Sequence, residues 1–190
     1  CSLSAALAQI PGTELRLAPD QTIYIINLNG EEAQRVLALT ADGARNAFEC
    51  SVSCIGGKTC QVGVRDSQGL LHACVEAVRS AGIPDGALPQ MYISGCMSSC
   101  GTHQTGVIGL RGASKLVDGK PQSAFALFIH GESRQGGETM GRELGTILEN
   151  RVPEFLVELG KTVAASGMSF ADWNAQNPDG LEGIAAPYLA

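Results

Sequence analysis

Aromatic residues are scarce in this chain: five Phe, three Tyr and one Trp among 190 residues. A core with so few rings must be built from aliphatic and small side chains, and 24 glycines point to many close backbone approaches. A basic surplus is also missing. Thirteen Lys and Arg stand against 19 Asp and Glu, a formal charge of −6, which excludes the broadly cationic surface of a nucleic-acid binder but leaves room for a local basic pocket around a small anion. No apolar run approaches the roughly 20 residues needed to span a membrane. The opening CSLSAALAQI lacks the basic start and the full apolar run of a secretory signal. No G-x-G-x-x-G occurs, so Gly136-Gly137 is not a nucleotide fingerprint. These absences point to a cytoplasmic protein with neither a nucleic-acid nor a membrane partner. A first residue Cys1 in place of Met is read as the start of a piece of a longer protein.

Cysteine is the residue present in excess. Seven is an odd number, and the distribution is not the even framework of a small secreted domain. Four of them form two tight pairs, Cys54-x5-Cys60 and Cys96-x3-Cys100, separated by 35 residues. Each pair sits in a loop of small residues: Gly56, Gly57 and Thr59 in the first; Ser94, Gly95, Ser98, Ser99 and Gly101 in the second. A [4Fe–4S] cluster needs four soft thiolates at the corners of a cube and walls that do not crowd it. Zinc also takes four cysteines, usually with two to four residues inside each pair, and disulfides or unrelated buried thiols are the third reading. Cys74 falls on the apolar side of a helix and reads as a small buried hydrophobe. A Cys50/Cys54 pairing would leave Cys60 without a role.

Patterning predicts the frame that holds these loops. A short helical turn within residues 1–10 stops at Pro11-Gly12. Strands are expected over Glu14 to Leu17 and Gln21 to Leu28, with a turn at Pro19-Asp20, and then a helix over Glu31 to Leu39 with acidic residues in its first turn. After a polar connection, a helix capped by Asp66 or Ser67 runs to Ser80. Strands are expected at Gln90 to Ile93, Val107 to Ala113 and Ser123 to Ile129, with a turn at Asp118-Gly119 longer than a tight hairpin. A Gly-rich loop, residues 130–142, follows. Helices are expected over 143–148, 153–164 and 169–175, and an irregular tail over 177–190. The fold class is α+β: residues 1–49 form a small β-β-α module resembling half of a ferredoxin-like unit, and residues 50–190 form a mixed-sheet α/β layer domain carrying the Fe–S loops.

The cysteine loops resemble those of the siroheme-containing nitrite and sulfite reductases. The resemblance rests on Cys54, Thr59 and Cys60 in the first loop and on Gly95, Cys96, Cys100 and Gly101 in the second. Ile108, Gly109, Leu110 and Gly112 match the strand that follows. Leu15-Arg16-Leu17 resembles the start of that family's second half-repeat, and the likeness spans Glu14 to about Ala165. It implies that Cys54, Cys60, Cys96 and Cys100 ligate a [4Fe–4S] cluster and that Cys100 bridges cluster and siroheme iron. It also implies the C-terminal, cluster-bearing half of a reductase, working with the N-terminal half and an electron donor such as ferredoxin on nitrite or sulfite. The family's Pro-Asn after the third cysteine is Met97-Ser98 here, so the shorter Ser98 stands where an Asn lines the haem pocket.

Three basic or protic residues lie near enough to the motif to be weighed as catalytic candidates. Lys58 is inside the first loop, Arg111 is in the following strand, and His103 is a candidate proton donor. The bland reading of each is a solvated charge or, for His103, a structural hydrogen bond. Arg16, Arg65 and Lys115 are further basic residues near the motif, and His130 and Arg134 sit in the Gly-rich loop that could border a cofactor. Two other readings stay open: a precorrin-3B synthase-like Fe–S enzyme, and a non-enzymatic electron-transfer half-domain that needs only the four ligands.

Overall fold

The computed structural model describes residues 2–18, 22–41 and 43–189. Cys1, the Pro19-Asp20 turn and the first residue of the strand expected from Gln21 lie outside the described residues. The chain divides into two compact units, residues 1–45 and 46–190.

The first unit contains α1 (Ser2–Leu7), β1 (Glu14–Leu17), β2 (Ile23–Ile26) and α2 (Gly30–Leu39). The two strands pair antiparallel, Leu15 opposite Ile25 and Leu17 opposite Ile23. A capping box starts α2: Asn29 accepts from the Glu32 N–H at 2.9 Å, and the Glu32 carboxylate accepts from the Asn29 N–H at 2.9 Å. Ile10 and Val36 are the buried apolar side chains of this unit among the described residues, while Leu15, Leu17, Ile23 and Tyr24 are exposed.

The second unit is built on a five-stranded sheet in the order β3-β4-β5-β6-β7. Its strands are β3 (Val52–Ser53), β4 (Met91–Ser94), β5 (Ile108–Val117), β6 (Lys120–Ile129) and β7 (Arg142–Leu148). Strands β3, β4 and β5 run parallel to one another, β6 is antiparallel to β5, and β7 is antiparallel to β6. The register sorts the side chains into two faces. Met91, Ile93, Ile108, Leu110, Phe125, Leu127, Ile129 and Ile147 share one face, all fully buried. Their core is shared with α3 (Ser67–Ser80) and α4 (Val152–Ser166) through Leu70, Cys74, Phe155, Leu156 and Leu159. Tyr92, Ser94, Gly109, Arg111 and Phe128 point to the other face.

Three local expectations need correction. Residues 142–148 form β7 rather than a helix. Six residues are too few to hold a helix without strong packing, and Thr146 and Ile147 are β-branched residues that fit the open edge of β6. Strands β5 and β6 each run ten residues, so Asp118-Gly119 is a two-residue hairpin. Its φ values of 51° and 75° match the positive φ that a type I′ turn requires. The tail is not irregular. After α5 (Phe170–Gln176) comes α6 (Gly180–Ala185), whose two glycines weaken its propensity. Leu181 and Ala185 are fully buried there, and packing supplies what propensity lacks. Trp173 on α5 belongs to the same core.

Leu127, at the centre of the sheet with no exposed surface, is a direct probe of this core. Leu127→Ala is expected to lower unfolding free energy by about 2–5 kcal/mol in urea titration. The exposed Leu116→Ala serves as control, with a change within about 0.5 kcal/mol.

Candidate functional site

Two adjacent parallel strands deliver the cysteines to one end of the sheet. Cys54 directly follows β3, and Cys96 lies two residues past the end of β4. The carboxyl ends of parallel strands are where open sheets place their sites, because the chain leaves the ladder there and is free to form loops.

The two loops are laced together by backbone. The Cys54 N–H donates to Ile93 O at 3.0 Å. Gly95 O accepts from the N–H groups of Val64 (3.1 Å) and Arg65 (3.0 Å), and Gly57 N–H donates to Arg65 O at 2.7 Å. Arg65 Nε reaches on to Ala113 O at 2.7 Å, tying the first loop to β5. Side chains would not fit in the seam. A Cβ on Gly95 would sit 2.7 Å from Arg65 O, one on Gly112 would sit 2.2 Å from Gly95 O, and one on Gly101 would sit 2.0 Å from Ile93 O.

Cys54 is the thiol that the protein solvates most. Its Sγ accepts from the Gly95 N–H at 3.1 Å and lies 3.2 Å from the Ser67 hydroxyl. Burial alone would raise its pKa. The hydrogen bonds from Ser67 and from the Gly95 and Gly56 backbone outweigh that, and the net shift is downward, toward thiolate. The Ser67 hydroxyl also stands 2.8 Å from Cys54 O, so one proton serves either the carbonyl or the sulfur. Cys60 follows a turn closed by its N–H on Gly56 O at 2.8 Å. Cys60 and Cys96 are partly exposed and Cys100 is exposed. Cys74 is buried, its pKa pushed up to about 12 by desolvation, as an inert thiol should be. Cys50 is exposed.

The second loop carries two non-glycine residues in the left-handed region, Ser99 (φ 59°) and Thr102 (φ 49°). Gln104 Nε2 donates to Ser99 Oγ at 2.5 Å. A short 3-10 turn, His103–Thr105, then folds onto β5, so close that a Cβ on Gly109 would sit 1.8 Å from His103 O. His103 is 1% exposed, with Nδ1 2.9 Å from Ser94 Oγ and its ring edge-on to Phe128 at 4.7 Å. Burial, and then the charge of Arg111, push its pKa down to about 4, so it is neutral at physiological pH.

Lys58, Arg111 and Arg16 are engaged within the chain. Lys58 Nζ lies 2.7 Å from Asp66 Oδ2, and Asp66 also caps α3 by accepting from the Gly69 N–H at 3.0 Å. Arg111 lies over the Phe128 ring at 5.1 Å and meets Glu143 at 3.1 Å. Arg16, in the first unit, pairs with Glu14. His130 faces Glu182 at 4.0 Å. Ser98 is exposed beside Cys96, and its carbonyl lies 3.9 Å from Cys100 Sγ. Exposed apolar side chains, Ile55, Val62, Val64 and Met97, occupy the same loops. A groove of about 590 Å³ between α3, the β5–β6 hairpin and the start of α4, with Gly69, Val117, Gln122 and Leu148 among its walls, contains no cysteine.

Among the described residues, no three His, Cys, Asp or Glu side chains converge as they would around a single metal ion. Soft donors only, glycine seams and an N–H already aimed at a cysteine sulfur fit a cluster. Sequence reasoning singled out neither Ser67 as a partner of Cys54 nor Ser94 as more than a small wall residue. No local pattern distinguishes either from an ordinary loop or first-turn serine.

No protein-family profile matches the chain, and no curated protein matches it. Its fold is found among solved structures, including that of the Mycobacterium tuberculosis NirA protein. The TM-score is 0.72 at 18% identity, over 92% of this chain and 35% of that one. The chain therefore spans about a third of the length of that protein.

The buried imidazole gives a pH signature. A base whose pKa is depressed on folding binds its proton more readily in the unfolded state, so stability falls as pH drops from about 6.5 toward about 4. Urea titrations of the metal-free chain are expected to show that fall, and His103→Phe is expected to flatten it; equal slopes would remove His103 from the account.

Proposed function

We propose that this chain is the cluster- and siroheme-bearing half of a nitrite or sulfite reductase. The observation that carries the reading is the pair of cysteine loops, delivered by adjacent parallel strands and joined through Gly95. The motif resemblance and the fold likeness to NirA support the same reading, that of a nitrite/sulfite-reductase-like fold.

On this reading Cys54, Cys60, Cys96 and Cys100 hold a [4Fe–4S] cluster, and the exposed Cys100 thiolate is shared with the siroheme iron. When bound, the cluster supplies electrons and the haem iron holds the anion being reduced, nitrite to ammonia or sulfite to sulfide. The chain itself holds the thiolates in place, directs the Gly95 N–H at Cys54 to stabilise negative charge on sulfur, and keeps Ser98 beside the haem-facing loop. The pairing of Lys58 with Asp66 and of Arg111 with Glu143 favours an arrangement in which the cations that grip the anion come from the N-terminal half. The electron donor is then a separate protein such as ferredoxin, and the compartment is the cytoplasm. Carriage of electrons alone, or precorrin-type chemistry, would need the four ligands without the haem bridge.

Cys100→Ser decides between these readings. In the reductase with both cofactors loaded, the variant is expected to lose the coupled cluster–haem spectrum. Reduction of nitrite and sulfite by a reduced dye is expected to slow by about 100-fold or more, beyond the 10–100-fold typical of changes behind the ligand shell. Full haem content with full reduction in the variant would show that Cys100 is not the bridge.

A further inference from the structure

Ser94 and His103 are buried polar residues, each 1% exposed, at the base of a loop whose Met97, Ser98, Cys100 and Thr102 are exposed. Ser94 is the last residue of β4, two before Cys96. Its Oγ accepts the N–H of Gly101, the residue after Cys100, at 3.1 Å and meets His103 Nδ1 at 2.9 Å. One hydroxyl thus connects the two ends of the segment that carries both second-loop cysteines. The segment needs holding, because Ser99 and Thr102 flank Cys100 and Gly101 in left-handed backbone that these residue types seldom adopt. His103 is itself held from two sides: the Phe128 ring, and a backbone approach to Gly109 too close for any side chain.

We propose that Ser94 and His103 are a positioning pair that fixes Cys100 through the Gly101 amide and so sets where its thiolate is presented. The proposal rests on the cluster reading above. Ser94 hydroxyl donates to Nδ1 of His103, which leaves its oxygen lone pairs for the Gly101 N–H. The pair never touches the cofactor. It acts on the loop, and its removal alters the geometry of one ligand while leaving all four thiolates in the chain.

The test compares four variants of the full chain, purified without oxygen and reconstituted with iron and sulfide. Ser94→Ala removes the hydroxyl and His103→Phe removes Nδ1 while keeping a ring against Phe128. Ser94→Thr and His103→Asn retain a polar atom at each position. Iron release to a chelator and the electron paramagnetic resonance spectrum of the reduced cluster are read for each. Ser94→Ala and His103→Phe are expected to release iron at least about tenfold faster, as outer-shell losses do, with a changed spectrum, while the conservative pair stay near wild type. Wild-type release and spectrum in Ser94→Ala and His103→Phe would overturn the proposal. So would equal changes in all four variants, which would reduce the pair to packing. Should Ser94→Ala fail to fold, His103→Phe carries the comparison. A wild-type chain that assembles no cluster would instead overturn the parent reading. In that metal-free chain, hydrogen exchange at the Gly101 amide reports the pair directly: slow exchange in wild type and fast in His103→Phe supports it, and unchanged exchange overturns it.

Discussion

Gly95 is the point on which the site depends. Its N–H is directed at Cys54 Sγ, its carbonyl receives two N–H groups from the first loop, Gly112 of β5 packs against that carbonyl too closely to carry a side chain, and Arg65 O leaves no room for one on Gly95 itself. A single residue, through the two peptide groups on either side of it, therefore joins first loop, second loop and sheet. A buried carbonyl with two donors is well satisfied, and a buried sulfur with an N–H donor is biased toward its anionic form. The same contacts that close the seam also bias Cys54 toward thiolate.

The sheet arranges this by having two different faces. One face carries aliphatic residues and Phe125 against α3 and α4 and has no exposed side chains at its centre. The other is interrupted by Gly109 and polar at Ser94 and Arg111, and the second cysteine loop returns across it through the His103 turn. Helices on the first face make the scaffold rigid, while small residues on the second let backbone approach backbone. The proposed site belongs to the second face, and stability mainly to the first.

This division explains what could be read from the amino-acid order. The cysteine loops were visible because thiolate loops demand small neighbours locally, and the glycines and serines lie within a few residues of each cysteine. Strand β6 was visible from SAFALFI, which is apolar from Ala124 to Ile129, where both faces are covered. Strand β7 was not, since residues 143–148 take their structure from the edge of β6 rather than from their own pattern. Helix α6 was hidden for the same reason, its glycines arguing against a helix that Leu181 and Ala185 secure by burial. Ser94 and His103 are nine residues apart and meet only because the loop folds back across the sheet; no local periodicity encodes that.

The proposed function requires four thiolates gathered around one cluster. Iron and acid-labile sulfide counted per chain, with an absorption spectrum taken anaerobically, tests this most directly. About four sulfides and five irons with siroheme bands, the content of one cube and one haem, is the predicted result for the chain in its loaded form. A colourless chain holding one zinc ion and no sulfide would contradict it.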